Sequence, residues 1–293
     1  MLQNNIIKSP SANTKYLQNK LKEAEDARAA TMNILEDIED ARKQLELEDI
    51  KKNELFNITS HELKTPLVPI QGYLDLIEKG TYGQLTDKQK EILEIVDRNV
   101  KRLAKLISDV LDIARIQSKK MKFDIELIDP SSLIKESAEG MQSAAKNKNL
   151  SIKVTVEKLD VVYVDKQRLV QVITNIIGNA IKFTGKGGVA IHAYCSGKNI
   201  YIDISDTGIG IKPEDQDRIF EKFYQVDSTL TRKYGGTGLG LAISKGIMRS
   251  LGGDIIFKSQ FGKGSRFTII IPNHEKVKKT EFDLYGFVGQ KKY

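Results

Sequence analysis

His61 stands in the run NITSHELKTPLVPI, two positions before Leu63 of an apolar helical strip. Two residues are about 200° of helix, so the imidazole is expected to face away from that strip, toward water. Glu62 is its neighbour, and Thr65, four residues on, shares its face. Pro66 lies inside the same pattern and is expected to bend the helix just past His61. An exposed imidazole beside a carboxylate serves as a general base, a metal ligand or a nucleophile. On its own it is most often an ordinary surface histidine. His192 and His274 lie in other elements, which argues against a metal site at His61.

A second group of residues is spread over the C-terminal half. Asn175 and Asn179 are four apart on one helix face, and Lys182 follows three residues later. Side-chain amide oxygens suit hard cations, and Mg²⁺ takes few protein ligands beside phosphate oxygens and water. The plain alternative is the polar face of an amphipathic helix. In ISDTGIGI, Asp206 ends an apolar strand, and Gly208 and Gly210 let the backbone turn close to a flat ligand. A carboxylate there suits an exocyclic amine such as that of adenine; an ordinary Asp-x-Gly turn is the alternative. GGTGLGLAISKG places Gly235, Gly236, Gly238 and Gly240 ahead of a helix, where backbone amides cradle phosphates. The segment before it is charged and loop-like, and no GxxxxGK[ST] run occurs, so neither the dinucleotide fingerprint nor the P-loop applies.

Residues 1–15 lack periodicity and are expected to be disordered. Residues 16–51 read as a charged helix with a heptad seam of Leu17, Leu21, Ala24, Thr31, Leu35, Ile38 and Leu45. Arg28, Arg42 and Asp49 interrupt it, giving a weak coiled coil or a solvated helical linker. Residues 52–121 read as a two-helix hairpin. Phe56, Leu63, Leu67, Ile70, Leu74 and Ile77 line one helix, and Gly80 and Gly83 break it. Thr86 and Gln89 make a capping box for the next, lined by Leu93, Val96, Val100, Leu103, Ile107, Val110 and Ala114. One hairpin buries only part of its apolar surface, and two make a four-helix bundle, so a homodimer is expected.

From residue 122 to 273 the texture changes. Asp129-Pro130 opens a helix of about 17 residues, and LSIKVTVE and VVYVD are β-rich. Asp165 caps a helix carrying Leu169, Val172, Ile173, Ile176 and Ala180. GGVAIHAYC with NIYIDISD, and DIIFKS with SRFTIIIP, form two hairpins around the glycine-rich stretch and its helix. The fold class is multidomain, α followed by α+β, with a helix layer on a mixed sheet. Residues 274–293 form a tail with scattered aromatics.

Bulk properties narrow the function classes. Apolar residues make up 40% of the 293, enough for a core, and charged residues 29%, in keeping with long solvated helices. The net charge is +7, but lysines are interspersed with acids, so a direct nucleic-acid role is not expected. No run approaches ~18 uninterrupted apolar residues, so no membrane span is expected. One cysteine, Cys195, excludes an internal disulfide framework, and a cytoplasmic location is expected. His192 alternates out of phase with Val189 and Ile191, which predicts a surface or half-buried position.

HELKTPL resembles the phospho-acceptor box of two-component sensor histidine kinases, and QVITNIIGNAIKFT resembles their N box. ISDTGIGI, IFEKFYQ and GGTGLGLAI resemble their G1, F and G2 boxes, in the family's order, over about residues 52–273. The resemblance implies a dimeric four-helix bundle and an ATP-binding α/β sandwich like that of gyrase and the heat-shock chaperones. It implies that His61 is the phospho-acceptor, that Glu62 takes its proton, and that Thr65 orients water when phosphate is removed from a partner. It implies Mg²⁺ on Asn179, with Asn175 and Lys182 near the phosphates of ATP. Asp206 would hold the adenine amine, and Gly208 and Gly210 would shape its pocket. Gly236, Gly238 and Gly240 would close over the phosphates, Phe220 and Phe223 would anchor a lid, and Arg232 would reach the phosphates. The implied partner is the receiver aspartate of a response regulator.

An ATPase of the same nucleotide fold that never phosphorylates histidine would need the N, G1 and G2 boxes but not HELKTPL, so His61-Glu62 argues against it. A non-enzymatic coiled-coil scaffold would need neither Asn179, Asp206 nor the glycines.

Overall fold

The computed structural model describes residues 10–225 and 236–273. The chain divides into two compact units, residues 1–55 and 56–293. The first holds the start of helix α1 (Pro10–Glu78). Pro10 opens it, ahead of the expected start at Tyr16, because a fixed φ and a missing N–H suit a first helical turn. The expected disorder thus shortens at its C-terminal side, and residues 1–9 lie outside the described residues. Leu17, Leu21, Leu35, Ile38 and Leu45 are all exposed, and Lys20–Glu23, Asp40–Lys43 and Arg42–Glu46 pair along the surface.

The second unit begins with the hairpin. The α1 helix continues through Pro66 and Pro69 without a break. Leu67 and Leu74 are buried on it. Gly80 and Gly83, with φ of 75° and 114°, make the turn. Helix α2 (Asp87–Gln117) then starts at the expected capping box. The Gln89 N–H donates to Thr86 Oγ1 at 3.4 Å, and the Thr86 N–H donates to Gln89 Oε1 at 2.9 Å. Ile107, Leu111 and Ala114 are buried near its end, while Ile92, Ile95 and Leu103 stay exposed.

The α+β part follows as β1 (Ile125–Ile128), α3 (Pro130–Gly140), α4 (Gln142–Lys146), β2 (Ser151–Val156) and β3 (Val162–Asp165). Next come α5 (Lys166–Phe183), β4 (Gly188–Ser196), β5 (Asn199–Asp206) and α6 (Pro213–Gln216). It closes with α7 (Gly240–Ser250), β6 (Asp254–Gln260) and β7 (Gly264–Pro272). The helix expected as one piece after Pro130 is two, parted at Met141. β1 pairs antiparallel with β3 as a separate two-stranded sheet. The main sheet runs β2-β4-β5-β7-β6, antiparallel except for the parallel pair β2–β4. Ile200, Ile202 and Ile204 of β5 are buried with Ile173, Ile176 and Ile177 of α5 and Ile243 and Ile247 of α7 in one core. The alternate residues Tyr201, Asp203 and Ser205 lie half-exposed on the other face, as the two-residue period demands. His192 is likewise half-buried, with Nε2 2.7 Å from Glu157 Oε1. Among the described residues, no helix is long and apolar enough to cross a membrane.

Candidate functional site

Helix α5 starts at Asp165, whose Oδ1 accepts the Arg168 N–H at 2.9 Å. Its other oxygen accepts the Asp124 N–H at 2.9 Å, tying the start of the domain to the same cap. From there the 3.6-residue period puts Val172, Ile173, Ile176, Ile177 and Ala180 into the core. Asn175, Asn179 and Lys182 fall on the flank of that stripe, each half-buried. Asn175 Nδ2 donates to Ser244 Oγ of α7 at 2.8 Å. Gly240, at the start of α7, has no room for a Cβ because Asn175 Oδ1 occupies it. The N-terminus of α7 is thereby held against α5, with its free amides beside the polar flank.

Lys182 closes the other end of this flank. Its ammonium lies 4.8 Å from the Phe183 ring centroid, and a Cβ on Gly236 would come 2.8 Å from Nζ. Burial, then the Lys148 and Arg102 charges, lower its pKa from 10.5. Lys148 Nζ donates to the Ile181 and Lys182 carbonyls at 3.0 and 2.7 Å, binding the exposed carbonyl end of α5.

Asp206 ends β5. Its Oδ1 accepts the Gly208 N–H at 2.8 Å and the Ser265 N–H at 3.3 Å. Burial raises its pKa above 3.8, and those two amides oppose the rise. The turn after it is wedged into the fold. A Cβ on Gly208 would come 2.5 Å from the Phe183 carbonyl oxygen, and one on Gly210 would run into the Gln260 carbonyl. Gly210 also has φ +66°. This is tighter than a free surface Asp-x-Gly turn.

The glycine stretch is described from Gly236. Gly238, φ +69°, accepts the Phe223 N–H at 3.0 Å through its carbonyl. Gln225 Nε2 donates to the Gly236 carbonyl at 3.2 Å. Phe220 packs edge-on against Phe257 at 5.9 Å, with Lys245 Nζ 4.1 Å above its ring. The Phe223 ring is exposed, and its backbone, at φ 62°, makes the contact with Gly238. Tyr224, in the same run IFEKFYQ, makes a further contact. Tyr224 Oη donates to the buried Asp215 carboxylate at 2.5 Å, and the Arg218 guanidinium lies 4.1 Å over its ring. Arg232 and Gly235 lie outside the described residues.

On the hairpin, Glu62 and Thr65 are exposed on α1. His61 is within that helix, and its side chain lies outside the described residues.

Residues 51–119 match the His Kinase A (phospho-acceptor) domain, and residues 164–275 match the histidine kinase-, DNA gyrase B- and HSP90-like ATPases. Together the two matches cover more than half of the chain. The chain belongs to the two-component sensor histidine kinases.

Among relatives, it is 33% identical over 234 residues to the circadian input-output histidine kinase CikA of Synechococcus elongatus, covering 78% of this chain and 31% of that one. It is 31% identical over 262 residues to the sensor histidine kinase YclK of Bacillus subtilis, covering 88% of this chain and 54% of that one. The chain therefore spans only a third to a half of these relatives' lengths. Full-length ShkA, solved in complex with AMPPNP, superposes with a TM-score of 0.65 at 32% identity over 75% of this chain and 45% of that one. The Acinetobacter baumannii histidine kinase AdeS superposes at 0.53 with 27% identity, covering 72% and 97%.

The C-terminal domain of this histidine kinase is thus of the ATP-binding type. The kinase also carries contacts that its apolar periodicity did not reveal. Arg168 of α5 pairs with Asp112 of α2 at 3.2 Å, and Gln171 Nε2 donates to the same carboxylate at 2.8 Å. Thr237, inside the glycine stretch, donates to Asp109 of α2 at 3.3 Å.

Proposed function

We propose that the chain is an ATP-dependent histidine autokinase that phosphorylates His61 and passes the phosphoryl group to a receiver aspartate of a response regulator. The observation that carries this reading is the cradle of Lys182, Gly236 and the α7 N-terminus, in a chain that also holds a phospho-acceptor domain. Phosphoryl transfer asks for positioning and charge neutralisation rather than covalent work by the protein. Lys182 and the amides from Gly236 to Gly240 suit the phosphates. Asp206 suits the adenine amine: its bonds among the described residues fall on Oδ1, leaving Oδ2 to accept. Mg²⁺, when bound, neutralises phosphate charge. The side-chain oxygen of the half-buried Asn179, with the nucleotide's own oxygens, is a donor set that fits a hard cation.

In the reaction an imidazole nitrogen of His61 attacks the γ-phosphorus. The bond to the bridging oxygen breaks, ADP leaves, and Glu62 takes the proton the imidazole sheds. Thr65 orients water when phosphate is removed from the receiver. In this reading residues 16–51 are the signalling helix, 52–121 the dimerisation and phosphotransfer domain, 122–273 the catalytic domain and 274–293 a tail. The active form is a homodimer, and ATP as substrate favours a cytoplasmic reaction. Phe220, the Phe223 backbone and Tyr224 anchor the lid, and Arg232 reaches the phosphates.

The test is incubation with γ-labelled ATP and Mg²⁺ beside His61→Gln and Asn179→Ala. Acid-labile, base-stable label on the parent and on neither variant is the expected result. Label that persists in His61→Gln would overturn the assignment of the acceptor.

A further inference from the structure

Two carboxylates of α2 are buried against the ATP-binding domain and have no part in the chemistry above. Asp109 is 6% exposed and Asp112 5%. Asp112 is answered by a cation across the contact, Arg168, and by Gln171. Asp109 meets a neutral group instead. Its partner in the ATP-binding domain is the Thr237 hydroxyl, and the nearby cation, Lys105, sits one turn back on its own helix. Burial, with a smaller push from the Asp112 charge, outweighs Lys105 and Thr237 and raises the Asp109 pKa, so the ionised carboxylate is held there at a cost.

Thr237 lies between Gly236 and Gly238, within the loop read above as the phosphate cradle. Its oxygen accepts the Leu239 N–H at 3.2 Å, so its own proton is the one given to Asp109. One hydroxyl thus bonds an amide at the start of α7 and the carboxylate of α2. Further along α7, a Cβ on Gly246 would come 2.8 Å from Ile116 Cγ2, so the two helices touch directly.

We propose that Asp109, acting through Thr237, makes docking of the ATP-binding domain on α2 and occupation of the loop by a triphosphate mutually antagonistic. The carboxylate holds the empty loop against the hairpin. A triphosphate in the same loop brings several negative charges within one side chain of it, in a partly desolvated contact where charges act strongly. The domain is then released toward His61 when loaded and retained when empty. By linkage, a change that removes the antagonism tightens the triphosphate. Asp109 is a positioning residue in this scheme, and the scheme rests on the loop being the phosphate cradle.

The experiment is calorimetric titration of the full chain with AMPPNP plus Mg²⁺, and separately with adenosine, for the parent, Asp109→Asn and Asp112→Asn. Asp109→Asn keeps the shape and an acceptor while removing the charge. The expected result is AMPPNP bound about fivefold tighter or more by Asp109→Asn, adenosine unchanged, and no such charge-selective gain in Asp112→Asn. Melting curves for all three identify a variant that has failed to fold, and Asp109→Ala then stands in for Asp109→Asn. Equal AMPPNP affinity in parent and Asp109→Asn, an equal shift for both ligands, or the same gain in Asp112→Asn would each overturn the antagonism while leaving the kinase reading intact. A folded parent that binds no AMPPNP would overturn the kinase reading, and the antagonism with it.

Discussion

Ile173, Ile202 and Ile269 of the ATP-binding domain are sealed from solvent, whereas Ile92, Ile95 and Leu103 of α2 leave 53%, 50% and 49% of their surface in water. Both regions carry regular apolar periods, so the difference lies in what each period meets. The sheet's core is covered by side chains of α3, α5 and α7, and the end of α2 adds Ile113 to it. The hairpin has one face finished near the end of α2 and an open seam toward its loop. A domain with a closed core holds a nucleotide site still. A seam left open is suited to the second hairpin of the proposed homodimer.

The most severe break of this contrast is a charge placed in each region. Ile202→Asp buries a carboxylate at a fully enclosed position and is expected to cost more than about 4 kcal/mol, abolishing the cooperative melt of the ATP-binding domain. Leu103→Asp is expected to leave nucleotide binding unchanged and to shift the chain from dimer to monomer in sedimentation. A dimer that survives Leu103→Asp would mean that this seam is not what the second hairpin covers.

A smaller change probes the closed domain where it is tightest. Gly240→Ala places a methyl group on Asn175 Oδ1 and is expected to weaken AMPPNP about tenfold or more as α7 is pushed from α5. Isothermal titration reads it, and unchanged affinity would mean that the α5–α7 approach is not needed for binding.

Next in size is the charge at Lys182. Lys182→Met is expected to weaken the triphosphate about tenfold. The pH dependence follows from the lowered pKa. The ammonium is needed and is lost at a lower pH than an ordinary lysine's 10.5, so affinity falls as pH rises through that lowered value. The alkaline fall should vanish in Lys182→Met; an identical pH profile in both chains would remove Lys182 from the phosphates.

The smallest effects compare caps. Thr86→Ala removes an exposed capping box from the hairpin and is expected to cost about 1 kcal/mol. Asp165→Ala should cost more in the ATP-binding domain, because the buried Asp165 caps α5 and also holds the Asp124 N–H. Equal shifts in denaturant midpoint would mean that the link to Asp124 adds nothing.

Much of this was legible residue by residue. The Thr86–Gln89 box, the Asp165 cap, the β4–β5 turn at Gly197-Lys198 and the buried stripe of α5 all depend on neighbours within a few positions. Local spacing carries such features because a cap or a turn is satisfied inside its own segment. The polar flank of Asn175, Asn179 and Lys182 was readable for the same reason, since the helical period places residues relative to their own stripe.

The sequence settled which face of each element is apolar, the caps that open α2, α3 and α5, and the motif set that marks the family. Which faces meet was settled by folding. It chose the parallel pairing of β2 with β4, the parting of α3 from α4 at Met141, and the contact of Phe223 through its backbone rather than its ring. It also brought Asp109 and Asp112 of α2 against Thr237 and Arg168, residues more than 50 positions away. The physical reason is that a period of 3.6 or 2 states that a face must be covered but carries no record of its partner. The partner is selected by shape and charge across long loops, and those become neighbours only when the chain has folded.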